Sequence, residues 1–258
     1  MNIVVCVKQI PDPAEPGALD PSTNTLKRDS KLILDEADSY GVEMALQLAG
    51  DDGEVTLVSM APNNETGGLR TALAMGAAKA VLVSDEALAG SDSLSTAKVL
   101  AKAIGRVEGY DLVLTATESS DGYTGTVTEQ LAELLQLPSV TFAKEIHNTD
   151  AGVDVQRQTE LGYDEVETPL PAVVSVTAGV VEPRYPSFKG IMAAKNKPVD
   201  EVGLGDLGIE AGDVGFDGSN QEVVDVSAAP EREAGEIIED EGDAHERIVA
   251  FLDELKVL

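Results

Sequence analysis

Short apolar runs alternate with amphipathic stretches along most of this chain. Residues 2–7 form a β-branched run that ends before Lys8, which is typical of a strand buried on both faces of a parallel sheet. Further strands are predicted at residues 55–59, 80–83 and 111–116, and helices at residues 36–49, 66–75, 94–107 and 124–135. A proline-rich polar loop is predicted at residues 11–30. Four strand-then-helix units in series predict an α/β fold with a doubly wound, mostly parallel, Rossmann-like sheet.

The pattern changes after Pro138. Residues 141–146 and 153–159 flank the turn-rich segment HNTDAG and predict an antiparallel hairpin, and residues 171–177 predict one more central strand. From Val199 onward the chain has 3 basic and 18 acidic side chains, with one helix predicted at residues 243–255. We therefore expect two parts, which are an α/β domain over residues 1–200 and an acidic C-terminal arm over residues 201–258.

The charge of the chain narrows the classes of function. Eighteen Lys and Arg against 47 Asp and Glu give a net charge of -29, which repels nucleic-acid phosphates and anionic lipid heads. No stretch approaches the ~20 apolar residues of a membrane span, and the N-terminus lacks the features of a signal peptide. These observations predict a cytoplasmic protein with no nucleic-acid partner and no transmembrane segment.

The composition also suggests a salt-rich cell. Aromatic residues make up 3% of the chain, tryptophan is absent and carboxylates dominate the charged residues. Molar salt shrinks the Debye length to about 3 Å and screens the repulsion between such carboxylates. The composition therefore favours a halophile, and an ordinary acidic mesophile protein is the alternative.

One cysteine and two histidines leave little room for metal or hydrolytic chemistry. They exclude an internal disulfide, a zinc cage and an iron-sulfur ligand set. No serine or cysteine nucleophile lies near His147 or His245 in the sequence, which argues against a hydrolytic triad. Any redox chemistry then requires an organic cofactor.

The segment SSDGYTGTV, residues 119–127, predicts a phosphate-binding loop. It follows a predicted strand and runs into a helix, the position where an open α/β sheet binds ligands. Gly122 and Gly125 permit close approach to backbone N–H groups at a helix start, which bind phosphate without lysine or arginine. The alternative is an ordinary capped turn, because Thr126 and Glu129 have capping-box spacing. Further hydroxyl donors come from Ser119, Ser120, Thr124 and Thr126.

Five motifs, in order, resemble the beta subunit of electron transfer flavoproteins. They are NIVVCVKQIPDP at the N-terminus, LRTALAMGA at 69–77, DLVLTATESSDGYTGTVTEQLAELL at 111–135, RQTELGYDEVETPLPAVVSVT at 157–177 and EPRYPSFKGIMAAKNKP at 182–198. The resemblance covers residues 1 to about 208. It implies an electron carrier rather than an enzyme, in a heterodimer with an alpha subunit that holds the redox FAD. In the family, electrons pass from dehydrogenases, such as the acyl-CoA dehydrogenases of beta-oxidation, to a membrane quinone oxidoreductase.

The resemblance also implies a nucleotide site in this chain, which makes residues 1–200 a nucleotide-binding domain. Carriers of the human type hold AMP there, whereas electron-bifurcating and Fix-type members hold a second FAD. VKQIPD, RQTxxGY and the DGxTxxV pattern at 121–127 resemble the second group, although Tyr123 and Leu161 depart from its usual Asp and Gly. The implied contacts are Cys6, Asp35, Glu36, Ala37, Asp38, Met60, Ser119, Ser120, Asp121, Gly122, Tyr123, Thr124, Gly125, Thr126 and Val127.

One departure from the family affects that site. The family usually has Asn-Pro-Phe followed by Asp or Cys where this chain has DEAD at residues 35–38. The added carboxylates are expected to repel a phosphate nearby.

A partner-docking segment is implied at residues 183–192. Phe188 lies where carriers of the human type present a leucine, and an exposed apolar anchor often carries much of such an interface. A core-packed Phe188 is the alternative. Lys195 and Lys197 join two residues of this segment in a basic cluster that faces an acidic partner, flavin phosphates or solvent. The implied docking residues are Arg184, Tyr185, Phe188, Lys189, Ile191 and Met192.

A different class of function stays open at this point. A stand-alone nucleotide-binding protein of the stress-protein type, or an adenylating enzyme, would have a similar α/β fold. The SGGxDS loop of pyrophosphatase-type adenylating enzymes is absent. A scaffold without flavin is a third reading.

Overall fold

The structure, a computed structural model, describes residues 1–228, 235, 237, 239–240 and 242–257. Its contacts group the chain into two compact units, Met1–Val224 and Asp225–Leu258. Within the described residues, no helix combines the length and hydropathy needed to cross a membrane.

Eleven strands form in the described part of the chain. They are β1 (Ile3–Cys6), β2 (Gln9–Pro11), β3 (Leu32–Leu34), β4 (Val55–Ala61), β5 (Lys79–Ser84), β6 (Leu112–Ala116), β7 (Ser139–Asn148), β8 (Val153–Thr159), β9 (Gly162–Thr168), β10 (Ala172–Val176) and β11 (Val199–Val202). Nine of them make one sheet in the order β11-β5-β4-β1-β6-β10-β7-β8-β9, and β2 pairs with β3. Pairing is parallel from β11 to β7 and antiparallel from β7 to β9.

Helices cover both faces of the parallel part of this sheet. The α-helices of the first unit are α1 (Glu36–Ala49), α2 (Gly67–Met75), α3 (Ser93–Ile104), α4 (Val127–Leu135), α5 (Phe188–Ala194) and α6 (Gly215–Gly218), and the second unit contains α7 (Ala244–Glu254). Helices α1 and α2 bury Val42 and Leu73 in the cluster that contains Val5 of β1. Helices α3 and α4 bury Val99 and Leu131 in the cluster that contains Val4. The predicted doubly wound α/β fold is therefore confirmed.

The elements that the hydrophobic pattern misses are short or polar. Strands β2 and β3 have three residues each, and they bracket the segment that was predicted as a loop. Strand β9 adds a third strand to the predicted hairpin, but only Thr168 of its seven residues is buried. Helix α4 begins at Val127 rather than at residue 124, because Gly125 takes a positive φ of 65° that an α-helix does not allow.

Residues beyond 200 still contribute to the core of the first unit. Val202, Leu204, Leu207 and Val214 are buried against the cluster on the α3 and α4 side of the sheet. The first compact unit extends to Val224. The predicted domain division at residue 200 stays a prediction. The helix predicted at residues 243–255 is confirmed as α7. Residues 229–234, 236, 238, 241 and 258 of the predicted arm lie outside the described residues.

Candidate functional site

The topological switch point of the sheet lies between β1 and β6. The chain proceeds from β1 to β4 and β5 on one side and then returns to place β6 on the other side of β1. Open α/β sheets bind ligands beyond the carboxyl ends of the strands at such a point. The segment that follows β6 there, residues 117–126, is called the switch-point loop below, and it contains most of the predicted phosphate-binding residues.

Asp35 holds the switch-point loop against the start of α1. Its side chain is fully buried and caps the helix by accepting a hydrogen bond from the Ala37 amide at 3.1 Å. The same carboxylate accepts the Ser120 amide at 2.8 Å and the Ser120 hydroxyl at 2.5 Å. One carboxylate therefore fixes both the helix start and the loop.

Asp121 is the centre of an ion-pair cluster inside the loop. Its side chain is 6% exposed and pairs with Lys8 Nζ at 2.6 Å and with the Arg28 guanidinium. Burial alone would raise the pKa of Asp121, but the two cations outweigh it and hold the pKa below its usual value. Lys8 also donates to the Ser119 hydroxyl at 3.2 Å, and Arg28 donates to the Gln9 carbonyl at 3.2 Å. The cluster thus ties the loop to β1 and to the segment between β2 and β3.

Asp38 and Cys6 lie buried below the loop. The Lys8 amide donates to Asp38 Oδ2 at 2.5 Å. Burial raises the pKa of Asp38 well above its usual value. Burial, together with the nearby Asp38, raises the pKa of the Cys6 thiol to about 12, so the thiol stays protonated at neutral pH. Cys6 accordingly packs as a small apolar residue in the core.

Two of the three carboxylates at residues 35–38 are buried. Asp35 and Asp38 are buried and each accepts backbone N–H groups, whereas Glu36 is exposed and Ala37 lines the neighbouring cleft. Asp35 and Asp38 thus point into hydrogen bonds within the protein, and the repulsion of a phosphate by the added carboxylates stays a prediction.

The start of α4 has no side-chain cap. Thr126 is its N-cap, but the Thr126 hydroxyl lies 3.5 Å from the Ser93 hydroxyl instead of bonding to a helix N–H. The alternative reading of the loop as an ordinary capping box is therefore not realised. Gly125, with its positive φ, and the exposed Gly122 precede this helix start, and the Thr128 and Thr115 hydroxyls bond at 2.7 Å to fix it on β6. Uncapped N–H groups at a fixed helix start suit an anion.

A cleft of about 740 Å³ adjoins the switch-point loop. Tyr123 on the loop is exposed, and its φ of 49° is unusual for a bulky residue. Phe142 on β7 also has a positive φ, 60°, and Arg157 on β8 sets its guanidinium 5.8 Å from the Phe142 ring centroid. The cleft therefore offers two aromatic surfaces and a cation next to the loop, and Glu118 and Glu160 also line it. Its lining also includes Ala37, Thr117, Ser120 and Thr177.

Comparison with known proteins decides the family. The electron transfer flavoprotein domain matches residues 23–207. The chain is 40% identical to the electron transfer flavoprotein subunit beta of Mycobacterium leprae, over 100% of this chain and 99% of that protein. It is 38% identical to the subunit beta of Thermoanaerobacterium thermosaccharolyticum, over 92% of each chain. This chain belongs to the electron transfer flavoprotein beta family. It is also 36% identical to the caffeyl-CoA reductase-Etf complex subunit CarD of Acetobacterium woodii, over 92% of each chain.

The predicted docking residues of this electron transfer flavoprotein beta chain divide into two kinds. Tyr185 and Phe188 are 93% and 80% exposed, so the reading of Phe188 as a core residue is wrong. Ile191, Met192 and Lys189 are exposed as well. Arg184 differs, because its guanidinium forms two hydrogen bonds with the buried Glu43 of α1.

The remaining predicted residues lie near the switch point. Met60, near the end of β4, is half-buried against the α3 and α4 side of the core. Thr124 is exposed on the loop, and Val127 is the first residue of α4.

Sequence reasoning missed Lys8, Arg28, Phe142 and Arg157 as site residues. Lys8 lies in the motif VKQIPD and Arg157 in RQTxxGY, and these motifs are the only sequence evidence for the two residues. Arg28 and Phe142 carry no sequence signal, since only the fold brings them to the loop and the cleft.

Proposed function

We propose that this chain is the beta subunit of an electron-transferring heterodimer whose alpha subunit holds the redox FAD. The chain itself holds a second nucleotide at the switch-point loop. The observation that carries this proposal is the loop itself, an uncapped helix start with buried supporting carboxylates, in a chain of the electron transfer flavoprotein beta family. No residue of this chain needs to act as an acid, a base or a nucleophile, so the proposed role is that of an electron carrier.

The residues at the loop fit a phosphate. The first N–H groups of α4 and the hydroxyls of Thr124 and Thr126 are its donors, in agreement with the family contacts named above. Lys8, whose side chain is 40% exposed, adds a cation at the same place. Asp35 and Asp121 act by holding the loop in position, since their carboxylates are already bonded within the protein.

The cleft favours FAD over AMP as this second nucleotide. AMP needs room for one ring system, whereas FAD needs a second planar surface connected through a pyrophosphate. Tyr123, Phe142 and Arg157 supply such a surface next to the loop, within the cleft of about 740 Å³. A flavin held here would supply one- and two-electron chemistry, including the electron bifurcation of the Fix-like variant. AMP in a simple carrier is the alternative.

Releasing and counting the nucleotides tests this proposal. The chain is co-expressed with its alpha subunit, the purified heterodimer is denatured, and FAD and AMP in the supernatant are quantified by chromatography. We expect two FAD and no AMP per heterodimer. One FAD and one AMP would identify a simple carrier, and a colourless monomer without nucleotide would contradict the whole proposal and favour a stand-alone protein or a scaffold.

The docking segment, defined as residues 183–192, is proposed to meet the redox partners. Its exposed apolar residues, Phe188 above all, suit a pocket on a dehydrogenase such as an acyl-CoA dehydrogenase. A membrane quinone oxidoreductase is the proposed acceptor of the electrons in the simple carrier.

The acidic surface is proposed to be an adaptation to concentrated salt in the cytoplasm of a halophile. At a net charge of -29, self-repulsion weakens the folded state in dilute buffer, and screening relieves it. The melting temperature is expected to rise steeply with KCl up to about 1 M and then to level off, because screening saturates there. A rise that is linear to several molar would indicate general salting-out instead.

A further inference from the structure

The start of the docking segment is fixed to α1 by a bidentate ion pair. Arg184 Nε donates to Glu43 Oε2 at 2.6 Å, and Arg184 Nη2 donates to Oε1 at 3.0 Å. The Arg184 amide approaches the same carboxylate at 3.3 Å, and Gln47 donates to it at 2.8 Å. The Glu43 side chain is 5% exposed, so its carboxylate has no alternative partner in solvent.

The chain just after the segment is fixed to α2. Arg70 on α2 donates to the carbonyls of Ala194 and Lys197, at 2.7 and 2.8 Å. Lys197 in turn donates to three carbonyls at the C-terminal end of α2, the shortest contact being 2.6 Å to Ala77. Between these two fixed points, Gly190 lies so close to the Ala74 carbonyl that a Cβ would come within 2.4 Å of it. The segment is therefore held at its start and its middle, and the chain just after it is held as well.

What faces outward from this fixed backbone is apolar. Tyr185, Phe188, Ile191 and Met192 are all exposed, and none of the fixing contacts uses their side chains. Ordering an interface loop on binding costs affinity, and a loop that is ordered beforehand avoids that cost. The ion pair between Arg184 and Glu43 thus fixes the backbone from which the apolar side chains project.

We propose that Glu43 is a positioning residue for partner docking, which holds Arg184 and so presents the docking segment in its binding conformation. This inference rests on the proposed function, and it gives Arg184 a different role from the direct partner contact that the family resemblance implies. Burial alone would raise the pKa of Glu43, but the bonds from Arg184 and Gln47 keep it below its usual value, so the pair is ionised at neutral pH.

A double-mutant cycle on the heterodimer tests the proposal. Glu43→Gln, Arg184→Gln and the double variant are assayed as electron acceptors of a purified acyl-CoA dehydrogenase of the same organism, reduced with octanoyl-CoA. We expect each single variant to raise KM for the heterodimer by about tenfold with kcat and flavin content unchanged, and the double variant to be no worse than either. Glu54→Gln, which breaks the exposed pair with Lys79, is the matched control and leaves KM unchanged.

Two outcomes separate the roles. A large rise in KM for Arg184→Gln with no rise for Glu43→Gln would mean that Arg184 contacts the partner directly, which overturns the proposal. If the wild-type heterodimer accepts no electrons from the dehydrogenase but is reduced photochemically, the proposed dehydrogenase partner fails instead. Amide hydrogen exchange of residues 184–194 then tests the ion pair by itself. Exchange at least about tenfold faster in Glu43→Gln is expected, and unchanged exchange contradicts the positioning role.

Discussion

The switch-point loop and the docking segment, which ends inside α5, are both held by buried carboxylates, but they expose opposite chemistry. At the loop, Asp35 and Asp121 form hydrogen bonds and ion pairs within the protein, and the N–H groups at the start of α4 have no side-chain cap. In the docking segment, Glu43 holds the backbone through Arg184 while the apolar side chains turn outward. The difference shows how one chain can offer a polar surface for a small anion and an apolar surface for a protein, with similar supports underneath.

The largest expected effect comes from Asp35→Ala. The change removes the cap of α1 and both bonds to Ser120, so the free energy of unfolding should fall by about 2 to 3 kcal/mol and the heterodimer should lose the nucleotide of this chain. Urea denaturation and nucleotide release measure the two effects.

Asp85→Ala is the matched control for that variant. Asp85 caps a short 3-10 helix through the Ala87 amide and has no bond to the loop. It should cost about 1 kcal/mol and leave the nucleotide in place. Equal nucleotide loss in both variants would show that the loop does not depend on Asp35.

Phe188→Ala should affect the other region alone. The side chain is 80% exposed, so stability should change little, while KM for the heterodimer with a partner dehydrogenase should rise roughly thirtyfold. Steady-state kinetics provide the measurement. Leu134→Ala, at an exposed position of α4, is the control and should leave KM unchanged. A rise in KM of similar size in both variants would show that Phe188 has no special role in docking.

Arg28→Gln should weaken the loop without destroying it. Asp121 keeps Lys8, so we expect a loss of about 1 kcal/mol in stability and a several-fold faster release of the nucleotide. Nucleotide release is followed by flavin fluorescence. The neighbouring exposed Lys27→Gln changes the net charge equally and should have no such effect. If both variants release the nucleotide faster, net charge rather than the ion-pair cluster is responsible.

An effect of opposite sign is expected for Asp38→Asn. Because the folded-state pKa of Asp38 is raised, rising pH ionises this group first in the unfolded chain, and the wild type loses stability between the unfolded pKa and the folded one. The asparagine can still accept the Lys8 amide and does not titrate. The variant should therefore be more stable than the wild type by a margin that grows as pH rises from 4 towards 8. Unfolding curves at several pH values measure it, and a margin that is constant or shrinks contradicts a raised pKa.

The hydrophobic pattern predicts the parallel part of the fold because its strands are buried on both faces and its helices on one. It fails for β9 and α5, whose few buried residues give no periodicity and whose positions depend on contacts from other elements. In α5 the deciding contacts come from Arg70 and Gly190, which only the tertiary structure brings together.

The loop could be predicted as a site, but its supports could not. Lys8 and Arg28 lie 113 and 93 residues from Asp121 in the sequence, and no local pattern connects them. For the same reason, Arg184 is indistinguishable from a surface cation until Glu43, 141 residues away, is seen beside it.

Helix α1 carries the support of both regions. Asp35 caps its first turn, and Glu43 lies about two turns further along the same helix, roughly 12 Å away. Nucleotide retention and partner docking therefore both depend on α1. Any coupling free energy between the two binding events is reciprocal. A partner that docks more tightly to the nucleotide-loaded subunit must also raise the affinity of the subunit for that nucleotide, by the same factor.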